Sequence, residues 1–305
     1  MKHTYPFLFV LAFTAFFGNS LFAQDEDADD EHKVYKKSKF LTGVFIGAYQ
    51  ANQYTAPAYN GFGYDLDGNQ NSFERSLMNQ KINYEYSGKY GTTDQIAQAL
   101  GVDPGQWNFD ASDMPTNMRY APAIMLGLNF RLPLSKRSNI TLNLNFSKLN
   151  INGAFTMTLI KPQNPNPAQN NNVQVFPIKG TEQRMLFQLG FQQIFGKLNK
   201  TNVFGEIGIN GTLAKYNSNV ININGLQIDL IYYQNQTLYP TVAGPARKPV
   251  GFGIGAYAAL GINFDLNEKF NMQILYSPSH ERVKVGNNPT LKLQHAGGLR
   301  LYYKI

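Results

Sequence analysis

The sequence predicts an all-β fold: a transmembrane, antiparallel, up-and-down β-barrel of eight strands, with ten strands as the alternative. Residues 291–305 alternate apolar and polar side chains with period two. Short and long connections alternate from residue 118 onward. Charged residues make up only 15% of the chain and aromatic residues 13%, which is typical of strands that face lipid on one side and carry aromatic girdles.

Composition narrows the function classes. The chain contains no cysteine, which excludes disulfides, thiolate chemistry and cysteine-ligated metals. The net charge is +7. These cations are scattered, which argues against nucleic-acid binding and favours a basic surface beside anionic lipid headgroups. Beyond the N-terminus no stretch of about 18 apolar residues occurs, so no transmembrane helix is expected. No residue pattern indicates a cofactor or a metal site.

The N-terminal segment predicts export. Lys2 and His3 precede an apolar run that ends at Phe17, and small residues follow up to Ala23. This is the pattern of a cleaved signal peptide, assigned to residues 1–23. Residues 24–39 carry an acidic run followed by lysines, and we expect a disordered periplasmic tail there. Residues 40–305 would then form the barrel.

Eight strands are predicted from the alternation, with apolar side chains facing lipid and polar side chains facing the lumen. The third strand begins at Ile140, and its alternation changes phase after Lys148, which predicts a β-bulge. The other strands are predicted at Phe40–Ala51, Met118–Leu132, Arg184–Phe195, Asn202–Lys215, Pro249–Phe264, Phe270–Pro278 and 291–305.

The connections predict an orientation. Three are short turns, Pro133–Asn139, Gly196–Thr201 and Asp265–Lys269. Four are long: Asn52–Asn117, Lys161–Gln183, Tyr216–Lys248 and Ser279–Pro289. Short periplasmic turns and long extracellular loops are the outer-membrane pattern, and an even strand number places both termini in the periplasm. Asn224-Gly225 predicts a type I′ hairpin above the membrane.

The first loop, residues 52–117, is expected to form an extracellular cap. Asn71–Ile82 has helical spacing of apolar residues, and a capping box precedes a second helix at Thr93–Leu100. The loop is also rich in aromatic residues, which can either pack as a lid or dock a protein or glycan. The candidate docking residues are Tyr54, Tyr59, Tyr64, Tyr84, Tyr86, Tyr90 and Trp107.

Two motifs have the residue types of a hydrolytic site and of a calcium site, but the spacing of their residues does not suit either site. Ser277–Glu281 contains Ser, His and Glu, yet adjacent residues of a strand point to opposite faces, so a hydrolytic site is not expected. Asp65–Asn71 alternates carboxylates and amides like a calcium loop. Its glycine stands in the fourth place and no glutamate stands in the twelfth, so we expect a turn that leads into a helix.

Three charged residues are predicted to meet inside the lumen. Arg131, Glu206 and Arg300 all face inward in the third of the barrel nearest the periplasm. A glutamate between two arginines would satisfy buried charges and plug the lumen. The alternative is a selectivity point in a narrow pore, with space left by the glycines of the sixth strand.

The C-terminal residues 298–303, GLRLYY, resemble the assembly signal of bacterial outer-membrane proteins, a glycine followed by spaced apolar residues in the last strand. In architecture, residues 40–305 resemble the small outer-membrane β-barrels of Bacteroidota, a grouping with PorT-like and OmpW-like members. The terminal Phe of that signal is replaced here by Ile305.

The resemblance implies a location in the outer membrane of a Gram-negative bacterium. It also implies a non-enzymatic surface or assembly component, an accessory subunit of a secretion or uptake complex. The alternatives are a narrow pore for small solutes and a lipid-modifying barrel enzyme. Expected partners are outer-membrane lipids and proteins that dock on the extracellular loops, without nucleic acid or cofactor.

Overall fold

Eight antiparallel strands close into a ring that organises the chain. The computed structural model describes residues 40–64, 69–85, 95–160, 171–196, 200–231, 250–283 and 291–305. The predicted signal peptide and periplasmic tail lie outside these residues. The ring strands are β1 Leu41–Gln50, β2 Ala123–Pro133, β3 Ser138–Ile160, β4 Asn171–Phe195, β5 Thr201–Ile223, β6 Val250–Asp265, β7 Phe270–Glu281 and β8 Lys292–Lys304.

Each ring strand pairs with its neighbours along the chain, and the first strand pairs with the last. In β1, Phe45 lies opposite Gly127 of β2 on one side and opposite Arg300 of β8 on the other. The order of pairing confirms the predicted eight-stranded barrel. Within the described ranges, three further short strands pair with a single ring strand each and none of them enters the ring, so the ring has eight strands and not ten. The three short strands are Trp107–Asn108, Arg119–Tyr120 and Leu226–Asp229.

The two ends of the barrel differ in their connections. At the turn end, Leu41 of β1 lies opposite Lys304 of β8, and tight turns join β2 to β3 and β6 to β7. In the second of these turns the Asn267 side chain accepts hydrogen bonds from the next backbone N–H groups, at 2.8–2.9 Å. At the opposite, cap end, Asn224 and Gly225 both have positive φ, 46° and 98°, which confirms the predicted type I′ hairpin.

The wall near the turn end is apolar outside and polar inside. On the exterior, Leu132 is 46% exposed, Val203 is 53% exposed and Leu260 is 65% exposed. Such exposure would be costly in water but is favourable against lipid. The buried lumen side chains are polar and include Thr141, Asn143, Gln192, Asn210 and Gln273.

β3 passes through two environments without changing its facing. Its odd-numbered residues point inward along the whole strand, from the polar Thr141 to the apolar Leu149 and Ile151. The β-bulge predicted after Lys148 is therefore wrong, because β3 and β4 pair without a register shift. What changes is the surroundings: the interior turns from a polar lumen into an apolar core, and the exterior turns polar.

Near the cap the interior is apolar and the exterior is polar, the reverse of the arrangement near the turn end. This reversal explains why two segments predicted as loops are partly strand. β4 begins at Asn171, although Lys161–Gln183 was predicted as a loop, and β5 continues to Ile223. A bulge does occur here, between Thr181 and Glu182 in the pairing of β4 with β5. Beyond it, the strands face the apolar core of the cap inside, as strands of a water-exposed sheet do.

The cap is built from the first loop packed on these strand extensions. The predicted first helix is a series of short helical turns, Phe73–Arg75, Leu77–Asn79 and Gln80–Glu85, and the second is Gln95–Leu100. Among the described residues no helix is long and apolar enough to cross a membrane. The buried core joins both parts and includes Ala56, Tyr59, Met78, Ile82, Ile96, Ile151, Phe155, Phe176, Ile178 and Ile221.

Candidate functional site

Two layers of buried polar side chains cross the barrel interior, and the turn-end layer is centred on an ion pair. Glu206 of β5 and Arg300 of β8 are both buried, and their side chains meet at 2.7 Å. Other strands complete the coordination of the carboxylate. It accepts hydrogen bonds from Tyr257 at 2.7 Å and from Thr141, Asn143 and Gln192 at 3.1 Å each.

The turn-end layer stabilises the ring by joining several of its strands. The donors to Glu206 come from β3, β4, β6 and β8, so one carboxylate ties together strands on all sides of the lumen. A buried ion pair is tolerated when its remaining hydrogen-bonding capacity is used, and here both oxygens of Glu206 are occupied. The long side chains that reach this point also fill the cross-section, as in other small barrels.

Arg131 does not share Glu206, contrary to the predicted three-residue cluster. Its guanidinium donates to Asn271 at 2.6 Å and lies 4.4 Å from the centre of the Tyr302 ring. The register gives the reason. Leu41 lies opposite Arg131, whereas Phe45 lies opposite Arg300, so Arg131 sits four residues nearer the turn end. Arg131 also donates to Gln192 at 3.3 Å, and Gln192 donates to Glu206. The guanidinium is therefore linked to the carboxylate through an amide and not by a direct ion pair.

The cap-end layer contains a second buried ion pair, which the sequence analysis missed. Glu182 and Arg184, both in β4, are fully buried and meet at 2.6 Å. Arg184 also donates to the Tyr49 hydroxyl of β1 at 3.0 Å and to Gln294 of β8 at 3.3 Å. Two opposite charges at i and i+2 of a strand share one face. The alternation pattern misses this signal because Glu182 falls in the predicted loop Lys161–Gln183.

Glu182 also holds the cap in the mouth of the barrel. Its Oε2 accepts hydrogen bonds from Tyr59 at 2.9 Å and from Tyr120 at 2.7 Å. The Tyr59 ring stacks on Tyr216 of β5, with ring centres 4.1 Å apart. It also occupies the space above Gly180, where a side chain would collide with it. Burial raises the pKa of the Tyr59 phenol well above its ordinary value, so the group remains a proton donor.

Glu281 is buried in the interior close to the cap-end layer. It accepts hydrogen bonds from Asn210 and Thr212 of β5 and from the Tyr49 hydroxyl. His280 is exposed on the outside of the same strand. The two side chains therefore lie on opposite sides of the wall, and they do not form an acid–base pair.

The space between the layers is closed. Phe45, Met125, Leu186 and Leu275 line a small cavity with room for about one water molecule. At two inward glycines of β6, neighbouring backbone occupies the place where a side chain would begin, so these positions leave none of the predicted space. A Cβ at Gly253 would collide with the carbonyl of Arg282, and a Cβ at Gly255 with that of His280.

The candidate docking aromatics separate into two groups. Tyr54 and Tyr84 are exposed, at 47% and 41%, and Tyr64 and Trp107 are half-buried. Tyr59 is completely buried, so its prediction as a docking residue is wrong: it fixes the cap and offers no surface. Tyr86 and Tyr90, like Asp65–Gly68 of the calcium-like motif, lie outside the described residues.

No protein-family model matches the chain, and no curated protein matches it. Solved structures do. Neisserial surface protein A is 5% identical over 87% of this chain and 96% of its own, with a TM-score of 0.39. The outer membrane protein OprG from Pseudomonas aeruginosa is 10% identical over 88% and 97%, with a TM-score of 0.38. Ail of Yersinia pestis, in complex with a heparin analogue, is 8% identical over 88% and 99%, with a TM-score of 0.35.

Replacing Glu206 tests the turn-end brace. The Glu206→Gln variant leaves the Arg300 guanidinium buried without its counter-charge, and we expect a loss of about 3–5 kcal/mol in the free energy of unfolding. Urea unfolding of the barrel in a non-ionic detergent measures this loss. The control is Glu268→Gln, at an exposed position of the β6–β7 turn, for which we expect no change. Equal stability of the two variants would contradict the brace.

Replacing Tyr59 tests the attachment of the cap. Tyr59→Phe keeps the stacked ring but removes the hydrogen bond to Glu182, which should weaken docking of the cap by about 1–3 kcal/mol. We therefore expect proteolysis within residues 52–117 to be at least about fivefold faster while the barrel stays intact. Tyr54→Phe, at an exposed site of the same loop, is the matched control. Identical cleavage rates for both variants would show that the hydrogen bond does not hold the cap.

Proposed function

We propose that this chain is an integral outer-membrane β-barrel of a Gram-negative bacterium that works as a non-enzymatic surface or assembly component. The observation that carries the proposal is the closed interior. Two braced polar layers cross the lumen, and the first loop packs into its mouth. A barrel of this kind can present a surface but offers no path for solutes. Its working part is then the cap and not the lumen.

The exterior supports the proposed location. Large apolar side chains are exposed all around the wall between the tight turns and the cap. Examples from four different strands are Val44, Leu128, Phe187 and Leu260. A closed ring also leaves no strand edge unpaired in the bilayer, which is the condition for β-structure to span lipid. With the tight turns facing the periplasm, the cap faces outward.

The finer role is that of an accessory subunit of a secretion or uptake complex. It is supported by the sequence resemblance to the outer-membrane barrels of Bacteroidota and by the exposed aromatic side chains on the cap. Tyr54 and Tyr84 offer large contact areas with few rotatable bonds, which suits a docking surface. The Lys292 ammonium lies 4.3 Å from the centre of the Tyr54 ring and orients it.

The narrow pore and the lipid-modifying enzyme are less well supported. A pore would require Glu206 to separate from Arg300, and Arg184 to separate from Tyr49 and Gln294 on the other side of the interior. A hydrolase based on Ser277, His280 and Glu281 would require groups on opposite sides of the wall to meet.

Electrical recording distinguishes a sealed barrel from a pore. We expect no single-channel steps from the purified protein in planar lipid bilayers, because the side chains of both layers fill the cross-section. An open porin, recorded in the same bilayers, is the positive control for insertion and conductance. Reproducible steps from the wild-type chain would contradict the sealed lumen and favour the narrow pore.

Site-specific crosslinking in native membranes tests the subunit role. A photoreactive amino acid at Tyr54 or Tyr84 should give a discrete protein adduct, since both side chains are exposed on the cap. The same group at Phe270, exposed at the turn end of the wall, is the control and should give none. Absence of an adduct from both cap positions would contradict docking through this surface.

A further inference from the structure

The outer wall of β3, β4 and β5 changes from apolar to cationic in a single step. Phe146, Met185 and Leu213 lie side by side in register on the exterior of the three strands. One step further toward the cap, the next outward row is Lys148, Gln183 and Lys215, also in register. The side chains of both lysines are exposed.

Two more cations extend this patch toward the cap. Lys179 of β4 lies opposite Asn152 of β3. On the other side of β3, Arg119 of the short strand Arg119–Tyr120 lies opposite the same Asn152. Both are exposed. We call Arg119, Lys148, Lys179 and Lys215 the cationic patch.

The patch has no internal counter-charge. Among the described residues none of its four cations takes part in an ion pair. The outward residues between them are the neutral Asn150, Thr181 and Gln183. The nearest carboxylate in register is Asp229, which lies opposite Val220, the partner of Lys179.

The spacing fits phosphate groups. Neighbouring strands lie about 4.8 Å apart, so Lys148 and Lys215 stand about 10 Å apart with Gln183 between them. Their long, flexible stems can converge from that distance, and an ammonium group is a common phosphate ligand. Exposed lysines just beyond an apolar wall also lie where lipid headgroups begin.

We propose that the cationic patch binds the phosphate groups of an anionic lipid in the outer leaflet. The proposal rests on the proposed outer-membrane location. Continuity with the apolar wall points to a lipid as the source of the phosphate: acyl chains lie against Phe146, Met185 and Leu213 while the headgroup meets Lys148, Lys179 and Lys215. A free phosphate ion would not use that wall.

The test compares two triple variants with equal loss of charge. Lys148→Gln, Lys179→Gln and Lys215→Gln together remove the patch, and Lys136→Gln, Lys200→Gln and Lys269→Gln together remove three exposed lysines from the tight turns. The full chain is purified in a non-ionic detergent and titrated with bisphosphorylated lipid A. Because each cation contributes a factor of about five, we expect the loss of three to weaken binding by about a hundredfold relative to the wild type. The turn variant should bind like the wild type.

Three outcomes would overturn the site. One is wild-type affinity in the patch variant, and another is equal affinity of the wild type for dephosphorylated lipid A. The third is inorganic phosphate binding as tightly as the lipid, which would indicate a free-anion site. Heat-modifiable gel mobility and insertion into vesicles are measured in parallel. Failure of the wild type to insert would refute the proposed location, whereas normal insertion with unchanged lipid affinity refutes the patch alone.

Discussion

A strand inside a bilayer has no water to satisfy its backbone N–H and C=O groups, so the wall of this barrel must close on itself. Pairing of β1 with both β2 and β8 achieves the closure. Closure then forces every second side chain into a narrow interior. Since that interior is also shielded from water, its polar groups must satisfy one another. The network around Glu206 is the consequence.

The wall has opposite distributions of polar and apolar side chains at the turn end and at the cap end. Near the turn end, polar side chains face in and apolar side chains face out, because lipid surrounds the wall. Near the cap, Leu149 and Ile151 face in and join the core beneath the first loop, because water surrounds it there. Both proposals originate at this boundary: Glu182 and Tyr59 join the cap to the lumen inside, and Lys148 and Lys215 mark the change outside.

Side-chain alternation predicted the barrel class, the strand number and, near the turn end, the facing of β2 to β8. It also identified Glu206 and Arg300 as inward residues near the turn end, since both occupy inward positions of clear strands. Alternation gives wrong predictions where the same lipid-facing rule is applied to the whole chain. Assuming a single environment for β3 produced a bulge that does not exist. The same assumption left Glu182 in a loop and hid its pairing with Arg184.

Local patterns in the sequence determined which faces are apolar, where the tight turns fall and that Asn224-Gly225 forms a hairpin, because each depends on near neighbours along the chain. Only the tertiary structure decided which lumen residues meet. Arg300 reaches Glu206 and Arg131 does not, since the register around a closed ring sets their heights, and alternation carries no information about register between distant strands. The burial of Tyr59 was decided in the same way, by how the first loop docks on β4 and β5.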